Sequence, residues 1–563
     1  MIARGQALVP PLVALAVAAQ QPRVAERPAD TILVSGHVIT VDARFSIAEA
    51  IAISDGKFTA VGSSASIRRH AGPATRVIDL HGETVIPGLA DGHLHDAGGG
   101  PGVDLAGARS IADVLAAVAA RVARSRPGDL IVTNSDWHEA QLAEHRLPYR
   151  RDLDRVSPNN PVVAVRGGHE YVLNSAALKK WNLTKDTPQV PGGRITHGDD
   201  GELNGELIDR AKSLVSLPAP PPLTVEALVE QHRRLNTVGL TSIRYPGAPI
   251  EQYRLLQDMA RRGMLTVRVN QLLRLSADTG PKMRDAIEAA GVRPDEGDAW
   301  VRIGGMKLGV DGGFEGGWMR QPYAEPWGES GTFRGVNTMA QAPYTDVVKE
   351  LNRLGWRVAT HAVGDAAIDE VLSAYEVANA ERSIVGKRWT IEHGFIPQSD
   401  QFPRMKALDL VISAQDHLYL AGPSLVRYWG AQRAAWTTPM RAYLDRHFIV
   451  AGGTDSSVVP YPPLWVIYHF VTRDTISGGV LGPDQRISRQ EALRVETINN
   501  AYLTFEEAMK GSIEPGKLAD LVVLPEDILT CPDKRIQQMR VSMTMVGGRV
   551  AYEGRSPVRR RPS

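Results

Sequence analysis

The stretch TVIPGLADGHLH, residues 84–95, decides how the rest of this chain is read. Its apolar run reads as a strand, and two histidines, His93 and His95, stand one residue apart at its end. Side chains at i and i+2 of a strand point to the same face, so the two imidazoles could grip one metal ion. They could equally be two polar residues at an exposed loop mouth. The choice depends on whether other strands end in further ligands.

Working outward, apolar runs of the same kind recur at LTSIRY (240–245), LTVRVNQLL (265–273), VRIGGMKLGV (301–310), WRVATHA (356–362), RWTIEH (388–393), DLVISAQ (409–415) and FIVAGGTD (448–455). Amphipathic helical patterns lie between them, among them IEQYRLLQDMARRG, YTDVVKELNRLG and AAIDEVLSAYEVANAE. With the opening stretch this makes eight βα units. Near-continuous apolar strands separated by amphipathic helices indicate a parallel sheet covered by helices, and eight of them an α/β fold of the (β/α)8 TIM barrel type. A doubly wound open sheet is the alternative. About 140 residues separate His95 from the second strand, far more than an ordinary βα loop. They hold a helix (SIADVLAAVAARVARSR), strand-like DLIVTNSDW and NPVVAVRGGHEYVL, and the Gly-rich PGGRITHGDDGELNGEL, and read as an inserted α+β subdomain over the barrel mouth.

Both ends of the chain speak a different β vocabulary. TILVSGHVITVD and AEAIAISDGKFTAVG near the front, with SDGK as a hairpin turn, are answered by KLADLVVLPED and VSMTMVGGRVAYEG near the back. The expected organisation is a signal peptide over 1–19, a composite β-sandwich from 31–84 plus 510–555, the barrel over 85–509 and the insertion over 100–220.

Composition bounds the function. The 563 residues carry 64 Lys and Arg against 63 Asp and Glu, a net charge of +1 that gives no reason to expect a nucleic-acid partner. One cysteine, Cys531, excludes an internal disulfide and a thiolate-rich metal site. The first residues, MIARGQALVPPLVALAVAAQQPR, have the outline of a secretory signal too short to span a membrane, although Pro10 and Pro11 interrupt it. A periplasmic or secreted protein is expected, with a cytoplasmic one the alternative, and no later segment reads as a membrane span. The expected partner is a small-molecule substrate; a homodimer is left open.

The strand ends now answer the opening question. The first expected strand ends in His93 and His95, the fifth in His361, the sixth in His393 and the eighth in Asp455, while the fourth contains Lys307, four residues before Asp311. All strand C-termini of such a barrel open on the face that carries the active site. Four imidazoles and a carboxylate suit a borderline divalent metal such as zinc. Lys307 could be neutral, paired with Asp311, or carboxylated.

IPGLADGHLH, MKLGVDGG, THAVGDAAID, TIEHG and VAGGTDSS, in that order, resemble the motifs of the amidohydrolase superfamily, most closely its YtcJ-like, formamide-deformylase-containing branch. The likeness extends to LDRVSPNNPVVAVRGGHEYVLNSAAL and DDGELNGEL in the insertion. The resemblance implies a metal-dependent hydrolase with Zn2+, one or two per chain, or another divalent metal. It implies that His93, His95 and Asp455 bind one metal, that His361 and His393 bind a second or position it, and that Lys307 is a carboxylated bridging lysine. A bound metal brings the pKa of water toward about 7, and Asp455 would take the proton and hand it to the leaving nitrogen.

The chain departs from this branch where substrate contacts would fall: Tyr245 in TSIRYPG, Ala366 after Gly364-Asp365, Asp416 before His417 in AQDHLYL, and GGFEGGWMRQPY after strand four. Trp318, Tyr323 and Trp327 could line an apolar pocket or pack a lid, and His169, Asn174 and His417 are further candidates at the substrate. The expectation is hydrolysis of a C–N amide-type bond in an N-acyl, N-formyl or related small molecule. The alternatives are the same site acting on a lactone, carbamate or phosphoester, and a non-catalytic periplasmic binding protein that keeps a metal as scaffold.

Overall fold

The computed structural model describes residues 27–219, 221–324 and 331–554. The expected leader over 1–19, Trp327 and the RSPVRRRPS tail lie outside the described residues. At its centre is an eight-stranded sheet: β1 (Leu89–Asp91), β2 (Leu240–Ala248), β3 (Arg268–Leu273), β4 (Val301–Gly309), β5 (Val358–Ala362), β6 (Thr390–His393), β7 (Val411–Gln415) and β8 (Val450–Gly453). Every neighbouring pair is parallel and in chain order. The ends of β1 and β8 meet through Gly92 N–H to the Gly452 carbonyl at 2.8 Å and Asp455 N–H to the His93 carbonyl at 2.6 Å. The sheet therefore curls into the (β/α)8 barrel that the sequence pattern predicts. Its strands are buried almost throughout because helices such as Ile250–Arg261, Gln341–Arg353 and Asp365–Glu381 turn their apolar faces onto them. Among the described residues no helix is long and apolar enough to cross a membrane.

The opening stretch is two strands where the sequence suggests one. Thr84–Pro87 pairs with Leu521–Leu524 in a six-stranded sheet, and only Leu89–Asp91 enters the barrel. The break has a physical cause. Pro87 lacks a ladder N–H, and Gly88 runs so close to Thr241 that a Cβ there would lie 2.2 Å from its Oγ1. The six-stranded sheet joins strands from both ends of the chain and packs on a four-stranded sheet through Leu33, Ile51, Phe58, Val85, Leu521 and Met543, all buried. The SDGK turn has φ of 50° at Asp55 and 73° at Gly56, the positive pair a tight hairpin requires.

Arg268 of β3 ties this sandwich to the barrel. Its Nε and Nη2 donate to the two oxygens of Asp520 at 2.7 and 3.0 Å, and both residues are buried. Removing one partner leaves an uncompensated buried charge, so Arg268→Ala is expected to destabilise the protein by about 3–5 kcal/mol, read as a lowered denaturant midpoint with unchanged slope.

Between β1 and β2 the insertion forms a five-stranded sheet flanked by helices, with two antiparallel hairpins, Val162–Arg166 with Glu170–Leu173 and Gly193–His197 with Leu203–Asp209. Ser110 caps its helix Ile111–Val122 by accepting from Asp113 N–H. The turn Gly167–Gly168–His169 of the first hairpin reaches over the barrel mouth, against Val458.

Candidate active site

β1 stops at Asp91, so strand alternation does not align His93 with His95. A hydrogen-bonded loop does. The Asp91 carboxylate accepts from His93 N–H at 2.9 Å and from the Thr454 hydroxyl at 2.6 Å, fastening the β1 and β8 ends together. Burial raises the Asp91 carboxyl to about 7. Leu94 N–H donates to the Arg244 carbonyl at 3.1 Å, and the two imidazole centroids come to lie 5.5 Å apart, His93 buried and His95 exposed. His393 and Asp455 have φ of 74° and 61°. Non-glycine residues enter that region at a cost and cluster at functional sites.

The Asp455 carboxylate is the hub. Its Oδ1 lies 3.2 Å from His95 Nε2 and 3.5 Å from His93 Nε2, and its Oδ2 lies 3.1 Å from His417 Nε2. Burial alone would raise the Asp455 pKa, but the His93, His417 and His95 rings hold it well below the usual carboxylate range. Among the described residues Oδ1 is buried without a hydrogen-bond donor. Among the described residues two groups have ligand atoms all within 4.8 Å of one another: His93, His95 and Asp455, and His393, His417 and Asp455. Burial pulls His93 down to about 4 and His393 well below its ordinary value, leaving neutral rings. Neutral imidazoles beside an ionised, orphaned carboxylate oxygen are a donor set that fits a divalent metal.

His361 stands apart from both groups. Its ring centroid is 4.5 Å from that of His393, but its Nε2 is 3.1 Å from the Gly312 carbonyl and 3.5 Å from Asp311. Lys307 does not pair with Asp311. Its Nζ lies 3.3 Å from His93 Nε2, while Asp311 accepts the backbone N–H groups of Trp318, Val363 and Gly364 at 2.8–3.1 Å. Burial, against the pull of Glu392 and Asp455, brings the Lys307 ammonium down to about 8.

Behind the histidines is a buried layer that the sequence reading passes over. Glu392, next to His393 in TIEHG, places Oε2 2.5 Å from His93 Nδ1, and Arg244 donates to its Oε1 at 2.6 Å. Gln415 Oε1 lies 2.7 Å from His393 Nδ1. Each fixes one ring nitrogen and leaves Nε2 for the site. The only signal in sequence is that each falls at the end of a barrel strand or in one.

A cavity at the barrel mouth is lined by His361, His393, His417 and Asp455 on one side and by His169, Arg166, Glu315, Phe314 and Phe395 on others. His169 has its Nδ1 2.6 Å from Asp209 Oδ1. Trp318 and Tyr323 do not line this cavity: Trp318 packs against the barrel core, and the buried Tyr323 donates its hydroxyl to the Phe314 and Gly317 carbonyls, each at 2.9 Å. Both are packing residues, and Phe314 and Phe395 supply the aromatic wall. Asn174 caps the helix Ser175–Lys180 and accepts from Val162 N–H, a structural role away from the cavity. Tyr245 is buried with its hydroxyl donated to Gln231, also outside it.

The amidohydrolase family matches residues 76–552 of the chain. N-substituted formamide deformylase of Arthrobacter pascens is 29% identical over 540 residues, which cover 93% of this chain and 98% of that protein. The protein YtcJ of Bacillus subtilis is 25% identical over 523 residues, 90% of this chain and 96% of its own. Among solved structures, an uncharacterized metal-dependent hydrolase from Pyrococcus furiosus is 27% identical with a TM-score of 0.63, over 89% of this chain and 100% of that one.

Proposed function

Because this chain belongs to the amidohydrolase family, we propose that it hydrolyses the C–N bond of a small-molecule amide, of N-acyl or N-formyl type, at the mouth of its barrel. One observation carries the reading: imidazoles from the ends of β1, β6 and β7 converge on the single ionised carboxylate of Asp455, beside a cavity with both polar and aromatic walls. The formamide deformylase of Arthrobacter pascens, similar along nearly its whole length, supports the bond type.

In this reading His93, His95 and Asp455 hold one divalent ion, and His393 and His417, with Lys307 close by, hold or position a second. A zinc-type ion supplies Lewis acidity toward the carbonyl and acidifies water to a pKa of about 7. The remaining work falls to the chain. Asp455, ionised and at the cavity wall, takes a proton from water and delivers it to the leaving nitrogen, which as an amine anion would leave very poorly. Phe314 and Phe395 hold the apolar part of the substrate, and the His169 hairpin turn covers the site from water.

Glu392 orients His93, so Glu392→Gln is expected to weaken metal affinity about 10–100-fold, measured by competition with a chromophoric chelator. Lys307 we assign as a carbamate ligand. Lys307→Ala should then lose metal and turnover together, added acetate should restore part of both, and Lys307→Arg should stay inactive. An Arg variant with most of the activity would make Lys307 a plain cation. The reading as a whole is tested by turnover of the zinc-loaded protein on matched amides, lactones, carbamates and phosphoesters. Amine release from the amides with slower reaction elsewhere is expected; turnover confined to another bond type would replace the reading.

A further inference from the structure

We propose that Glu315 recognises the substrate, and that the group it recognises is a cationic nitrogen, an ammonium or guanidinium, held in the same cavity as the scissile amide. The proposal rests on the hydrolase reading for its substrate and on the geometry below for its recognition group.

Glu315 lies in the Gly-rich turn after β4, is 1% exposed, and lines the cavity that also contains His393, His417 and Asp455. Its Oε1 accepts from the Arg166 guanidinium. Among the described residues its Oε2 is buried with no hydrogen-bond partner. A buried carboxylate oxygen without a donor is costly, and native structures rarely keep one without a use. Arg166, itself buried, faces Glu139 at 3.0 Å as well as Glu170 and Glu315. One guanidinium is shared among three carboxylates, and the free oxygen of Glu315 is the acceptor of that set that also lines the cavity.

The neighbouring wall suits the same ligand. The Phe314 ring stacks on Phe395 with centroids 5.5 Å apart and meets His417 edge-on at 5.3 Å. The aromatic pair therefore spans from the Glu315 end of the cavity to the Asp455 end. Aromatic faces attract desolvated cations, whereas a substrate carboxylate would meet the unpartnered oxygen of Glu315. A basic amide fits this wall better than an acidic or a neutral one.

The test uses the metal-loaded full chain and a pair of small probes of one shape, methylguanidinium and methylurea. Neither probe offers a carboxylate to the metal. Calorimetry is expected to show methylguanidinium binding at least ten-fold tighter than methylurea, and Glu315→Gln is expected to remove most of that preference. Equal binding of the two probes by the wild-type protein, or a preference unchanged in a folded Glu315→Gln variant, would overturn the proposal. The wild-type comparison decides even where the variant does not fold. Because the readout is binding, it is independent of the turnover panel. Cation preference without amide turnover would sink the hydrolase reading alone, and amide turnover without cation preference would sink this assignment alone.

Discussion

Asp455→Asn is expected to reduce turnover by at least about 10³-fold, the largest loss of any single substitution here. The size follows from two roles. General acid–base catalysis by a positioned side chain contributes about 10²–10⁴-fold. The same carboxylate is shared by both convergent groups of imidazoles, so its charge also holds the site together. An amide of the same shape keeps the packing but removes the charge that faces His93, His95 and His417 at 3.1–3.5 Å. The measurement is kcat/KM together with metal content, on a variant whose thermal midpoint stays close to wild type. Activity above a tenth of wild type would remove Asp455 from proton transfer.

The barrel was legible because its signal is periodic and local. Each strand is an apolar run of three to nine residues ending near a polar one, and each helix shows its own stripe, as in Gln341–Arg353. The convergence of the candidate histidines was legible for the same reason, since strand ends of one barrel face share one place. What could not be read is what depends on pairs far apart in the chain. Asp91 with Thr454, and Glu392 with His93 and Arg244, are separated by 363, 299 and 148 positions. No spacing rule links them. His417 reads as a substrate contact because it follows β7, yet its ring is turned onto Asp455. His361 reads as a ligand, yet its Nε2 is turned to Gly312 and Asp311. Strand position predicts which mouth a side chain reaches, and rotamers and second partners decide where it points once there. The aromatic residues show the same limit: Tyr323 and Phe314 belong to one Gly-rich loop, and only the folded turn reveals that Phe314 lines the cavity.

The most direct test of the account is metal removal. Purified protein is expected to carry about one to two divalent ions per chain, the number the open coordination of a catalytic site allows. Dialysis against a strong chelator should abolish amide turnover while leaving the barrel folded, and zinc added back should restore it in proportion to the metal bound. The result that would contradict the account is chelated, metal-free protein that hydrolyses its amide at the full rate.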